Sequence, residues 1–88
     1  MTQKAGSSKY VRIRIDTIIG HWDKEFPISA KIKDVIHAAI KHFGLTRSGR
    51  YALKLNRKSE IVLMPSRSLN RYKITNGDAL ILEVIGII

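Results

Sequence analysis

Eighty-eight residues, 44% of them apolar, provide for one small packed domain. The absence of cysteine excludes a disulfide framework, a thiolate nucleophile and a thiolate metal site. Sixteen basic residues against seven acidic ones give a formal net charge of +9, which points toward an acidic protein partner or nucleic acid.

The opening residues, MTQKAGSSK, are polar, small and basic and lack the apolar stretch of a signal peptide. Residues 1–9 are expected to form a flexible basic leader and residues 10–88 the folded domain. No run approaches about 18 apolar residues, so no membrane span and a cytoplasmic location are expected.

YVRIRIDTI alternates, with Val11, Ile13 and Ile15 on one side and Arg12, Arg14 and Asp16 on the other. Period-2 patterning of this kind makes a half-buried strand. Gly20 and His21 mark a turn. WDKEFPI then forms a second strand, which lies at a sheet edge or ends at Pro27, because proline cannot donate to a ladder. From Ser29 the period changes: Ile32, Val35, Ile36, Ala39, Ile40 and Phe43 form one helical stripe. Ser29 is the predicted N-cap and Gly44 the predicted left-handed C-cap. LTRSGR reads as loop, YALKLN as a strand, NRKS as a turn and IVLM as a short strand ended by Pro65. A helical turn follows, seating Leu69, Tyr72 and Ile74. TNGD is a tight turn, and ALILEVI is the last strand, with Leu80, Leu82 and Val84 opposite Ile81, Glu83 and Ile85. A β-β-α-β-β-β order of this kind predicts an α+β layer pair: one helix across one face of a mixed sheet of four to five strands. The nearly continuous apolar run of the last strand places it inside the sheet beside the first.

IRIDTIIG, KIKDVIHAAI and RSLNRYKITNGDALIL together resemble the ubiquitin family, whose fold is the β-grasp. The resemblance covers residues 11 to 85 and rests on core spacings. It departs from the family at three places. The chain ends Val84-Ile85-Gly86-Ile87-Ile88 instead of in the Gly-Gly tail of modifiers. Ile18 matches one residue of the family's apolar patch, whereas Lys54 and Glu83 fall at or near the other two. The solvated sheet face is expected to be cationic, with Glu83 its lone acid. The turn ITNGD, Ile74 to Asp78, is also similar to one found in small bacterial ubiquitin-like proteins that accompany type VII secretion systems, which implies action by binding without conjugation.

Arg12, Arg14, Lys54, Arg57 and Lys58 are candidate contacts to an acidic protein surface or a phosphate backbone. The competing reading is that alternating strands carry charge outward for solubility and to blunt edges. Ile18, Ile87 and Ile88 are candidate apolar contacts, the last two to a partner or to a second copy along a strand edge. Nucleic-acid binding would also want stacking platforms. Only Tyr10, Trp22 and Tyr51 are uncommitted to the core, so RNA binding is the alternative function. Conjugation through a processed C-terminus is a second alternative. His37 and His42 are five apart, which puts them on different helix faces, and His21 lies in a turn. No catalytic arrangement, phosphate loop, metal set or cofactor site can be named. The sequence therefore predicts a non-enzymatic ubiquitin-like module that binds an acidic protein partner.

Overall fold

The computed structural model describes residues 9–87, without the side chains of Ser59, Glu60 and Ile87. The expected leader lies outside the described residues, apart from Lys9. So does Ile88.

The first hairpin joins β1 (Tyr10–Thr17) to β2 (Gly20–Pro27) in antiparallel register, from Tyr10 opposite Pro27 to Thr17 opposite Gly20. The turn is therefore Ile18–Ile19, and β2 begins at Gly20 instead of Trp22. Two local devices close it. The Thr17 hydroxyl donates to the Gly20 carbonyl at 2.9 Å and accepts the Ile19 N–H at 3.1 Å. Gly20 also has φ +147°, a conformation that a side chain would disfavour. Val11, Ile13 and Ile15 are buried, as their alternation requires.

Helix α1 covers Ile32–Phe43 and buries Ile32, Val35, Ile36 and Ala39. Its N-cap is Lys31, which corrects the expectation for Ser29. The Lys31 N–H donates to the Asp34 carboxylate at 3.1 Å, and the Asp34 N–H returns to the Lys31 carbonyl at 2.9 Å. The stretch before it is already used in a turn, with Ala30 N–H bonded to the Pro27 carbonyl. The first helical donors are satisfied from a distant segment. Ile32 N–H reaches the Arg67 carbonyl at 2.8 Å and Lys33 N–H the Pro65 carbonyl at 3.0 Å. Gly44 ends the helix in the left-handed conformation at φ 67°.

Strand β3 (Gly49–Leu55) turns through Asn56 and Arg57 into β4 (Lys58–Val62). The strand expected at residues 61–64 thus starts three residues earlier, inside the expected turn, and β3 starts two residues earlier than Tyr51. Leu63 still bonds to the Leu53 carbonyl at 2.8 Å and is buried. Met64 then leaves the sheet and donates its N–H to the Tyr72 hydroxyl at 2.8 Å. A short 3-10 turn, Asn70–Tyr72, seats Leu69 and Ile74 in the core, as expected.

Strand β5 (Ala79–Ile87) completes a five-stranded sheet in the order β2-β1-β5-β3-β4. It runs parallel to β1 through Arg14–Ala79, Ile15–Leu80 and Asp16–Ile81, and antiparallel to β3 from Leu55–Leu80 to Gly49–Ile87. The chain's last strand is therefore central, which is why Leu80 is fully buried and Leu82 nearly so. The core lies between this sheet and α1, with Ile13, Ile15, Leu53, Leu80 and Val35 all buried within it.

Candidate protein-binding face

The outward sheet face is set by the pleat. Arg12, Arg14 and Asp16 project from β1, His21, Asp23 and Glu25 from β2, Ile81 and Glu83 from β5, and Lys54 from β3. Arg14 and Lys54 do share this face. Glu83, however, is not its lone acid. Arg12 sits directly opposite Glu25 and Arg14 opposite Asp23. Arg14 Nε is 2.8 Å from Asp16, and Lys54 Nζ is 2.9 Å from Glu83. Alternation within β1 and β3 exposes the cations, but the acids that face them arrive from β2 and β5 through the register.

Arg57 is held differently. Its guanidinium meets Asp78 at 3.1 Å and reaches toward the Lys73 carbonyl. Asp78 also accepts the Thr75 N–H at 2.8 Å. Partial burial pushes the Asp78 carboxyl up. The Arg57 hydrogen bond, the Thr75 N–H and the Arg57 charge together outweigh it and hold the group below the usual carboxylate range. The same hydrogen bond raises Arg57. Lys58 is exposed and, like Arg12, makes no ion pair with a described residue.

At one end of the sheet, apolar side chains stand in solvent. Ile18 is 96% exposed and Ile19 59% at the β1–β2 turn; Val84 is 45% and Ile85 63% exposed on β5. Asp16–Ile81 is the last pair between β1 and β5, so β5 runs on beyond its parallel neighbour. An open groove of about 640 Å³ forms there, with Ile18, Ile19, Leu45, Ile81 and Val84 among its walls. Ile18 is a candidate contact from the sequence alone, and it is exposed here. Ile19 and Val84 are not candidates on that basis, since Val84 shares the inward parity of Leu80 and Leu82. Its exposure follows from the length of β5 relative to β1, which no local pattern reveals. Ile87 continues β5, but its side chain and Ile88 lie outside the described residues.

Trp22, left open as a stacking platform, is half-buried against His42, with ring centroids 3.9 Å apart and planes 4° from parallel. It meets Phe26 and Phe43 edge-on. Among the described residues, no group of His, Asp and Glu is arranged to hold a metal ion. No helix among them is long and apolar enough to cross a membrane.

A helix gripped by a mixed sheet whose central strands are the first and the last defines a ubiquitin-like β-grasp protein. Solved structures agree in fold. A designed protein based on ubiquitin has a TM-score of 0.74 at 20% identity, over 88% of this chain and 90% of its own. Caldiarchaeum subterraneum ubiquitin has 0.73 at 16%, over 89% and 96%. A structure described as "Molecular Mimicry of SUMO promotes DNA repair" has 0.74 at 13%, over 86% and 92%. No curated protein matches the chain closely in sequence. Residues 10–82 match the family described as "WXG100 protein secretion system (Wss), protein YukD". The chain belongs to that family, the small ubiquitin-like proteins of the type VII secretion group.

Proposed function

We propose that this protein is a non-enzymatic docking module of a WXG100 secretion system, acting on the cytoplasmic side, that binds an acidic protein surface. The observation that carries the reading is the exposed apolar group at one end of the sheet, Ile18 and Ile19 on the β1–β2 turn with Val84 on β5, next to the outward face that bears Arg12, Arg14 and Lys54. Contiguous apolar side chains in solvent mark interaction sites. Charges around such a cluster steer approach and set specificity. The pairing of Arg14 and Lys54 with Asp16 and Glu83 is compatible with this role. Exposed ion pairs contribute only about 0–1 kcal/mol, so partner carboxylates can take over these cations at little cost. Arg12 and Lys58, which form no ion pair with a described residue, need no such exchange, and Ile87 and Ile88 remain candidate apolar contacts. Arg57 contributes less directly, because Asp78 already engages it.

The test is calorimetric titration of the protein against purified components of a WXG100 secretion system. Reversing Arg12, Arg14 and Lys54 to glutamate should weaken binding and flatten its salt dependence, and Ile18→Asp should weaken it independently. Unchanged affinity in both variants would remove the sheet face and its apolar end from the interface.

One observation favours a second arrangement at the same end. Beyond Ile81 the β1-facing edge of β5 has no strand partner among the described residues. A second copy could pair there, and sedimentation across a concentration series would detect it. The RNA reading draws little support, since Trp22 is stacked on His42 and the Tyr51 hydroxyl is bonded to the Thr46 carbonyl.

A further inference from the structure

A different surface, on the helix side of the molecule, carries the strongest unassigned feature. An open groove of about 750 Å³ runs between α1 and β3. Ile36, Ile40 and Tyr51 supply apolar walls, while Lys33 and Lys41 from the helix and Arg47 from the following loop bring three cations to it. No carboxylate lines the groove, and none of the three cations forms an ion pair with a described residue. On the other side of the helix, Trp22 stacks on His42 and Lys24 lies 5.6 Å above the Trp22 ring.

The groove is bordered by open strand. Leu53 directs its carbonyl toward β4, where it accepts the Leu63 N–H. Backbone direction alternates along a strand, so the Tyr51 peptide groups point the same way. Among the described residues nothing pairs with them there, because Met64 has turned aside to Tyr72 and the next residue, Pro65, has no N–H to give. Gly49 keeps the adjoining wall in place. A Cβ at that position would come within 2.7 Å of the Tyr51 hydroxyl, which is bonded to the Thr46 carbonyl. The tyrosine ring can lie along the edge only because residue 49 has no side chain.

We propose that this groove docks an acidic, extended segment of a partner protein, which pairs with the open edge of β3 and lays aliphatic side chains against Ile36 and Ile40. Strand addition supplies backbone hydrogen bonds, and pockets beside the edge select alternate side chains. Lys33 and Lys41 are eight positions apart on α1, about 12 Å at the helical rise. That distance suits two carboxylates four positions apart in an extended chain, about 13 Å, with an aliphatic stretch between them. The preference for peptide over nucleic acid follows from the walls. Two isoleucines and a hydroxyl-anchored tyrosine leave the small imidazole of His37 as the only ring in the described lining open to a base, whereas a bare strand edge is complementary to another peptide backbone. The surface is separate from the sheet face, so this proposal does not depend on the docking reading above.

The test uses the full chain, isotope-labelled, and a synthetic peptide of about ten residues that alternates valine with glutamate. Its amide resonances should shift at Lys33, Ile36, Ile40, Arg47 and Tyr51, and hydrogen exchange at Tyr51 should slow. The double variant Lys33→Glu/Lys41→Glu, at exposed positions, should keep its fold by circular dichroism and bind at least about tenfold more weakly. Lys9→Glu/Arg71→Glu changes the net charge equally and should retain affinity within about threefold, separating a groove from general attraction. The proposal is overturned if the peptide shifts nothing at millimolar concentration, or shifts only the Arg14 and Lys54 face. It also fails if a lysine-for-glutamate peptide binds as well, if oligouridylate binds the same residues more tightly, or if dilution of the protein alone produces the groove shifts.

Discussion

The Asn76 side-chain oxygen accepts the backbone N–H of Arg12 at 2.8 Å, across 64 residues of chain. The neighbouring Gly77 N–H donates to the Arg12 carbonyl at 2.9 Å, and Arg14 N–H bonds to the Asp78 carbonyl at 3.0 Å. The Asn-Gly-Asp turn thus acts as one further rung of strand beside β1 before β5 begins. Its composition suits that task. Asn offers a side-chain acceptor to the Arg12 N–H, Gly77 adopts φ 89°, and Asp78 closes the turn onto Thr75.

Removing that acceptor should therefore be felt in β1. Asn76→Ala is expected to lower stability by about 1 kcal/mol, the usual net contribution of one hydrogen bond. The Arg12 amide should exchange markedly faster while Ile15 is little changed. Urea denaturation and hydrogen exchange read the two effects separately. Gly77→Ala should cost about 1 kcal/mol through its positive φ alone. Equal exchange at Arg12 in wild type and Asn76→Ala would show that the contact does not persist in solution.

The Asp78 carboxyl lies below its unfolded value, so its sign is that of a depressed acid. Its contribution to stability is fully present above the ordinary carboxylate range near 3.8 and is lost as pH falls through the lower folded value. Comparing urea midpoints at pH 7 and in that acid window, wild type should lose more stability than Asp78→Asn. The variant should be less stable at pH 7 and converge with wild type at low pH. Parallel curves would assign the acid sensitivity to other carboxylates.

The apolar cluster makes an opposite pair of predictions. Leu80→Ala, at a fully buried central position, should cost about 3–5 kcal/mol. That is a large share of the 5–15 kcal/mol typical of a domain. Ile18→Asp, at 96% exposure, should change stability by no more than about 0.5 kcal/mol. Denaturation midpoints would show it. A large loss in Ile18→Asp would mean that Ile18 packs in solution and is not free for a partner.

These residues also show what the sequence makes legible. Alternation in β1 and the 3.6-residue stripe of α1 are direct consequences of burial, and the structure follows both. The apolar run Ala79–Leu82 points to an interior strand, and β5 is one, flanked by β1 and β3, although its Ile81 and Glu83 lie on the outward face. What stays hidden depends on two segments at once. The acids opposite Arg12 and Arg14 belong to β2, and their placement follows from a register that the Ile18–Ile19 turn fixes. The early start of β4 is hidden for a related reason. Lys58, Ile61 and Val62 are all exposed, so no buried alternation marks the strand. The helix start at Ile32 is supported by the Arg67 and Pro65 carbonyls, which accept the Ile32 and Lys33 N–H groups and which local capping rules do not include. The groove between α1 and β3 unites Lys33, Lys41 and Arg47 from separate polar stretches, each of which reads alone as ordinary solvated surface.

Trp22 supplies the last prediction, because it is the chain's single tryptophan and reports on the contact between β2 and α1. Its ring lies parallel to His42 at 3.9 Å and edge-on to Phe26 and Phe43. A stacked pair contributes about 0.5–1.5 kcal/mol beyond area burial. His42→Ala should therefore destabilise the domain by about 1 kcal/mol. It should also uncover one face of the indole, shifting emission to longer wavelength and raising its accessibility to an added quencher. His42→Phe keeps an aromatic ring against the indole and should restore most of both. If His42→Ala left emission and quenching unchanged, Trp22 would be held by Phe26 and Phe43 alone, and His42 would add nothing to the contact between α1 and β2.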